Sequence, residues 1–75
     1  MAYRISKQML EKIGDNIKKA RRKNRKDQVE VAVDAGIEPS YYAKIERGEA
    51  RNPSLAKLYS IARALNTHSS EILPF

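Results

Sequence analysis

The segment from Asp27 to Gly48 is punctuated so closely that it admits two short helices and one tight turn. Asp27 is followed three residues later by Glu30, the spacing of a reciprocal N-terminal cap. Gly36 then stops the helix, because glycine enters the left-handed backbone region at little cost. Glu38 leads into Pro39, and proline suits the first position of a new helix, where no backbone N–H is needed. Gly48 ends that second helix. These marks predict helices over residues 28–35 and 39–47. Ala32 falls where the two axes nearly touch, so a larger side chain there would push them apart. Val31, Ile37, Tyr42 and Ile45 fill the wedge between the pair and the rest of the core, which leaves the outer face of the second helix free.

The flanking sequence continues the helical pattern. Residues 6–24 carry Leu10, Ile13, Ile17 and Ala20 at three- and four-residue spacing behind Ser6, a good N-cap. Gly14 weakens this helix by about 1 kcal/mol relative to alanine; close approach of another helix would explain it. Pro53-Ser54 opens a fourth helix with Leu55, Leu58, Ile61, Ala62 and Leu65 on one face, and Asn66 suits a left-handed stop. Ser69 or Ser70 caps a last short helix holding Ile72 and Leu73. No stretch alternates as a strand does, so the expected fold is all-α: one domain over residues 1–75, a compact bundle of five short helices. A chain of 75 residues buries only a thin core, and self-association would add stability. The apolar end formed by Ile72, Leu73, Pro74 and Phe75 is the expected dimer surface.

Composition narrows the function. There is no cysteine and a single histidine, His68, so a disulfide framework, a thiolate metal site and a histidine-rich metal site are all excluded. His68 reads as a surface residue near a helix start. No stretch reads as a leader peptide or is apolar enough to span a membrane, and the composition suits a reducing cytoplasm. With no glycine-rich phosphate loop and no room for a deep pocket, catalysis, a cofactor and a small-molecule ligand are not expected. The net charge of +6 is unevenly placed: residues 1–26 carry +8 and residues 27–75 carry −2. Such a basic half fits either a polyanionic partner or a solvated helix face.

The residues Gln28, Ala32, Gly36, the run Ile45-Glu46-Arg47-Gly48, and Pro53 with the helix after it resemble the lambdoid phage repressor and Cro-type helix-turn-helix family, also called the xenobiotic-response-element type. The likeness extends over about residues 13–73. It implies a lambda-repressor-like DNA-binding domain with its helix-turn-helix at 28–47. It further implies a transcriptional regulator, most simply a repressor, that reads a half-site of a double-stranded DNA operator through the major groove and acts as a homodimer. Carried onto this chain, the resemblance assigns base contacts to Pro39, Ser40 and Lys44. Pro39 would touch a thymine methyl, Ser40 either a donor or an acceptor, and Lys44 guanine N7 and O6. Phosphate or sugar contacts fall to Asp27, Gln28, Tyr41, Arg47, Arg51 and Asn52. Arg21 and Glu46 match a structural salt bridge between the first helix and the end of the third.

Four residues depart from the family pattern. Lys26 stands where an apolar residue is usual. Tyr42 replaces a smaller aliphatic side chain, and its hydroxyl needs a partner. Glu38 replaces a Ser or Thr cap, and Glu49 adds a second acid; both bear on the strength of binding rather than on the docking mode. By helix phase Tyr42 is core, whereas Tyr41 fits exposed contact and partial burial equally well. Arg25 and Lys26 fit DNA contact and a solvated face equally well. Residues 1–7, with Arg4 and Lys7, form either an arm along DNA or a frayed end. The rival function is an antitoxin-like or adaptor protein whose main role is to bind a protein partner. Steep salt dependence of DNA binding separates the two.

Overall fold

The computed structural model describes residues 5–75, which form five helices: α1 Lys7–Lys23, α2 Gln28–Ala35, α3 Pro39–Glu46, α4 Leu55–Ala64 and α5 Ser69–Ile72. No strand occurs among the described residues. Arg4 lies outside the described residues, and Lys7 is the first residue of α1 rather than part of an arm.

Local chemistry sets the helix ends. Ser6 Oγ accepts from the Met9 N–H at 3.1 Å, and Ser54 Oγ accepts from the Lys57 N–H at 3.1 Å. At α2 the cap is reciprocal: the Glu30 N–H donates to Asp27 Oδ1 at 2.8 Å and the Asp27 N–H donates to Glu30 Oε1 at 3.1 Å. Gly36 stops α2 at φ 69°. Past α3, Gly48 sits at φ 73° while the Glu49 N–H reaches back to the Lys44 carbonyl at 2.9 Å. Asn66 takes the left-handed stop after α4, at φ 52°. The last helix differs from expectation: His68, not a serine, holds the cap position and makes no side-chain cap bond, and Ser69 is the first helical residue.

One core runs through the whole bundle. It joins Ile13 and Ile17 of α1, Val31 and Ala32 of α2, Tyr42 and Ile45 of α3, Leu58, Ile61 and Leu65 around α4, and Ile72 of α5. Helix α1 packs on α3 and α5, α2 packs on α3 and α4, and α4 packs on α5. Gly14 is where α1 and α3 meet. A β-carbon there would fall 2.4 Å from the Glu46 carbonyl oxygen and 2.6 Å from that of Ile45. The helix-weakening glycine thus has a steric cause.

Three apolar assignments shift. Leu10 is only half-buried. Leu55 is 73 % exposed, on the rim of a groove between α4 and α5. Ile72, expected on a dimer surface, is 1 % exposed and belongs to the core. Helical phase places a side chain on a face but does not say how far along the helix the neighbouring element reaches.

Lys26 also finds a use. Its ammonium group donates to the Ala64 carbonyl at 3.1 Å and lies 3.6 Å from Asp34 Oδ2. With Asn24 Nδ2 donating to the Leu65 carbonyl at 3.2 Å, the α1–α2 linker satisfies the open carbonyls at the end of α4. The lysine that stands in place of an apolar residue holds the linker by polar bonds instead of packing. Its neighbour Arg25 is exposed, with φ 56°.

Candidate nucleic-acid interface

The orientation of α3 is set from beneath by one buried carboxylate. Glu46 is 2 % exposed and accepts hydrogen bonds from three helices. Arg21 of α1 approaches in a fork, Nε to Oε2 at 2.6 Å and a terminal nitrogen to Oε1 at 3.1 Å. The Tyr42 hydroxyl donates to Oε2 at 2.6 Å, and Gln28 Nε2 of α2 donates to Oε1 at 2.9 Å. Arg21 also donates to the Lys26 carbonyl at 2.9 Å. Burial alone would raise the Glu46 pKa, but the hydrogen bonds from Arg21, Tyr42 and Gln28 outweigh it and hold the carboxyl below its ordinary range. Burial, then the bond to Glu46, pushes the Tyr42 phenol up, so it remains a donor. Tyr42 is therefore core, and Glu46 is the hydroxyl partner its position required.

With Tyr42, Ile45 and Glu46 turned inward, the opposite side of α3 faces out. Pro39, Ser40 and Lys44 are all exposed; Ser40 and Lys44, four residues apart, share one face, and Pro39 lies beside Ser40 at the start of the helix. Tyr41 is half-buried at the flank, against the edge of the core. The Lys57 ammonium lies 5.0 Å from its ring centre, within cation–π range. That pairing joins residues 16 positions apart and has no local signature. Glu38 caps α3: its Oε2 accepts from the Tyr41 N–H at 3.2 Å and also from the Ser40 hydroxyl.

The predicted phosphate-facing residues are placed less uniformly. Ala50 and Pro53 are buried, which pins the loop after α3 and leaves Arg51 and Asn52 exposed between them. Asn52 sits at φ 46°, which asparagine tolerates better than most residues. Arg47 is exposed, but its Nε is paired with Glu49 Oε1 at 3.0 Å. Gln28 is half-exposed; one amide hydrogen is committed to Glu46 and the second remains. Asp27 uses both its carboxylate and its backbone N–H in the cap of α2. Having no side-chain hydrogen to give, it offers a phosphate nothing. Among the described residues, no group of acids and histidine has the arrangement of a metal site, and no helix is long and apolar enough to cross a membrane.

Comparison with known proteins agrees with this geometry. Residues 17–72 match the helix-turn-helix family described as HTH_3. The chain is 34 % identical over 61 residues to an uncharacterized HTH-type transcriptional regulator, y4dJ, of Sinorhizobium fredii, covering 81 % of this chain and 78 % of that protein. It is 39 % identical over 61 residues to the immunity repressor protein of Bacillus phage phi105, covering 81 % of this chain but 42 % of the repressor. Among solved structures, the restriction-modification controller protein C.AhdI from Aeromonas hydrophila superposes with a TM-score of 0.81 at 30 % identity, over 85 % of this chain and 96 % of that one. The shared core, the reciprocal cap, the glycine turn and these matches together show that the chain belongs to the lambda repressor/Cro-type helix-turn-helix family of DNA-binding transcription regulators, which is not a class of enzymes.

Proposed function

We propose that the protein is a cytoplasmic repressor that reads a half-site of a double-stranded operator by laying α3 in the major groove. The observation that carries this reading is the exposed Pro39, Ser40 and Lys44 side of α3, held outward by the buried Tyr42, Ile45 and Glu46 side. Lys44 donates to guanine N7 and O6, and Pro39 and Ser40 meet the neighbouring bases. Gln28, Tyr41, Arg47, Arg51 and Asn52 grip the sugar–phosphate backbone. Similarity to an immunity repressor favours repression over activation.

The active unit is a homodimer. Paired half-sites about 34–36 Å apart call for two copies of a domain this small. The groove between α4 and α5, about 180 Å³, is lined by Leu55, Leu58, Tyr59, Ser69, Ile72 and Leu73. Leu55 and Tyr59 project from its rim, so one surface holds both a recess and the side chains to fill it, as a twofold contact requires. Sedimentation showing only monomer, with and without DNA, removes the dimer.

Fluorescence anisotropy on operator variants tests the readout. Lys44→Ala is expected to cost about 1–3 kcal/mol and to relax preference at one base pair, whereas Arg51→Ala weakens all sequences alike and lowers the salt slope by about 1. Equal, sequence-independent losses for both variants would refute major-groove reading by α3.

A further inference from the structure

We propose that Glu38 is a specificity residue: its free carboxylate oxygen accepts a hydrogen bond from the exocyclic amino group of a cytosine or adenine facing the start of α3. This inference rests on the major-groove reading above. It adds a residue outside the contact set that the family resemblance assigns.

The two oxygens of Glu38 have different surroundings. Oε2 receives both the Tyr41 N–H and the Ser40 hydroxyl. Both bonds end on Oε2, which leaves Oε1 open, and the side chain is exposed beside Pro39 and Ser40. The Ser40 hydroxyl first, helped by the backbone N–H dipoles of the first turn and by the Lys44 charge, keeps the carboxyl below its ordinary range. It is thus ionised at neutral pH and can only accept.

The same bond changes what Ser40 can read. A free hydroxyl serves donors and acceptors alike, but here its one hydrogen points at Glu38, so only lone pairs face outward. The start of α3 therefore presents two acceptors, Glu38 Oε1 and Ser40 Oγ. Lys44, one turn further on, presents a donor. In the major groove the exposed donors are cytosine N4 and adenine N6, whereas guanine and thymine present acceptors there. Glu38 and Lys44 are six residues apart, a rise of roughly 9 Å, or between two and three steps of about 3.4 Å along a DNA strand. The expected half-site has a cytosine or adenine about two to three base pairs from the guanine read by Lys44.

Selection of bound sites from random duplexes tests this with the full chain and with Glu38→Thr, which keeps an oxygen cap but removes the carboxylate. Circular dichroism melts confirm that both fold. The parent is expected to select cytosine or adenine at one position per half-site, the frequencies saying which. Glu38→Thr should lose on the order of tenfold discrimination at that position and leave the guanine preference intact. An unchanged preference in Glu38→Thr, or a change in affinity equal at every position, overturns the proposal while leaving the Lys44 reading in place. A parent that binds duplex DNA without any sequence preference overturns both.

Discussion

Replacing Gly14 with alanine sets two effects of opposite sign against each other. By helix propensity the change stabilises α1 by about 1 kcal/mol. Against this, the added carbon would lie 2.4 Å from the Glu46 carbonyl oxygen, 2.6 Å from that of Ile45 and 2.8 Å from the Glu46 carbonyl carbon. All three are backbone atoms in the last turn of α3, so no side chain can rotate away. A carbon and a carbonyl oxygen ordinarily settle about 3.3–3.6 Å apart, so α1 and α3 would have to separate by roughly 1 Å. Overpacking of this kind costs about 1–3 kcal/mol or more, and a contact that is backbone on one side and a helix axis on the other belongs at the upper end. The separation also lengthens the 2.6 Å Arg21–Glu46 contact that ties the same two helices. The steric term wins, and Gly14→Ala is expected to destabilise the domain by about 2 kcal/mol net. Urea unfolding followed by circular dichroism at 222 nm should show a midpoint lower by about 1–2 M. A midpoint equal to or above that of the parent would refute the close-approach account.

Gly36→Ala separates conformation from contact: no atom lies within 4 Å of the added carbon, yet φ is 69°, so urea unfolding should show a loss of only about 1–2 kcal/mol, with Gly36→Asn losing less. Arg21→Met leaves the buried Glu46 carboxylate uncompensated and should cost about 3–5 kcal/mol, whereas Tyr42→Phe, which removes one bond to a charged acceptor, should cost about 1.5–3 kcal/mol; a reversed order in denaturant midpoints counts against Glu46 as the common acceptor. Because the Glu46 pKa is lowered in the folded state from 4.5, its contribution is fully present above that value and fades as pH falls through the lower folded pKa. Acid titration of stability should therefore fall more steeply below pH 4.5 in the parent than in Glu46→Gln. Lys26→Met removes the bonds to Ala64 and Asp34 but keeps an apolar stem at a position where apolar packing is usual, so its melting temperature should change little, and a large loss would show that the polar clamp is essential.

The residues that carry their own local instructions were the legible ones. Ser6, Asp27 with Glu30, Gly36, Gly48, Ser54 and Asn66 mark helix ends through bonds spanning a few positions, and each sits where that chemistry requires. The Tyr42, Ile45 and Lys44 sides of α3 follow from helical phase in the same way. What stayed hidden depends on partners distant in sequence. Lys26 meets Ala64 across 38 positions and Gln28 meets Glu46 across 18. No spacing rule distinguishes Ile72, which reaches the core, from Leu55, which stops at a groove rim. The Glu38–Ser40 bond was missed for another reason: it spans only two positions, but an exposed acid and an exposed serine look like ordinary solvated residues until their geometry is known.

The convergence of α1, α2 and α3 on the Glu46 carboxylate has a mechanical consequence. Tilting α3 alone would strain the bonds that Arg21 and Gln28 make to the buried Glu46 carboxylate, so adjustment by the protein is costly. When such a rigid template meets a duplex, the double helix must do the yielding. On the proposed docking of α3, operators whose untouched central steps twist or bend cheaply should then be favoured over equally matched but stiffer ones, and DNA elasticity would be a second channel of selection.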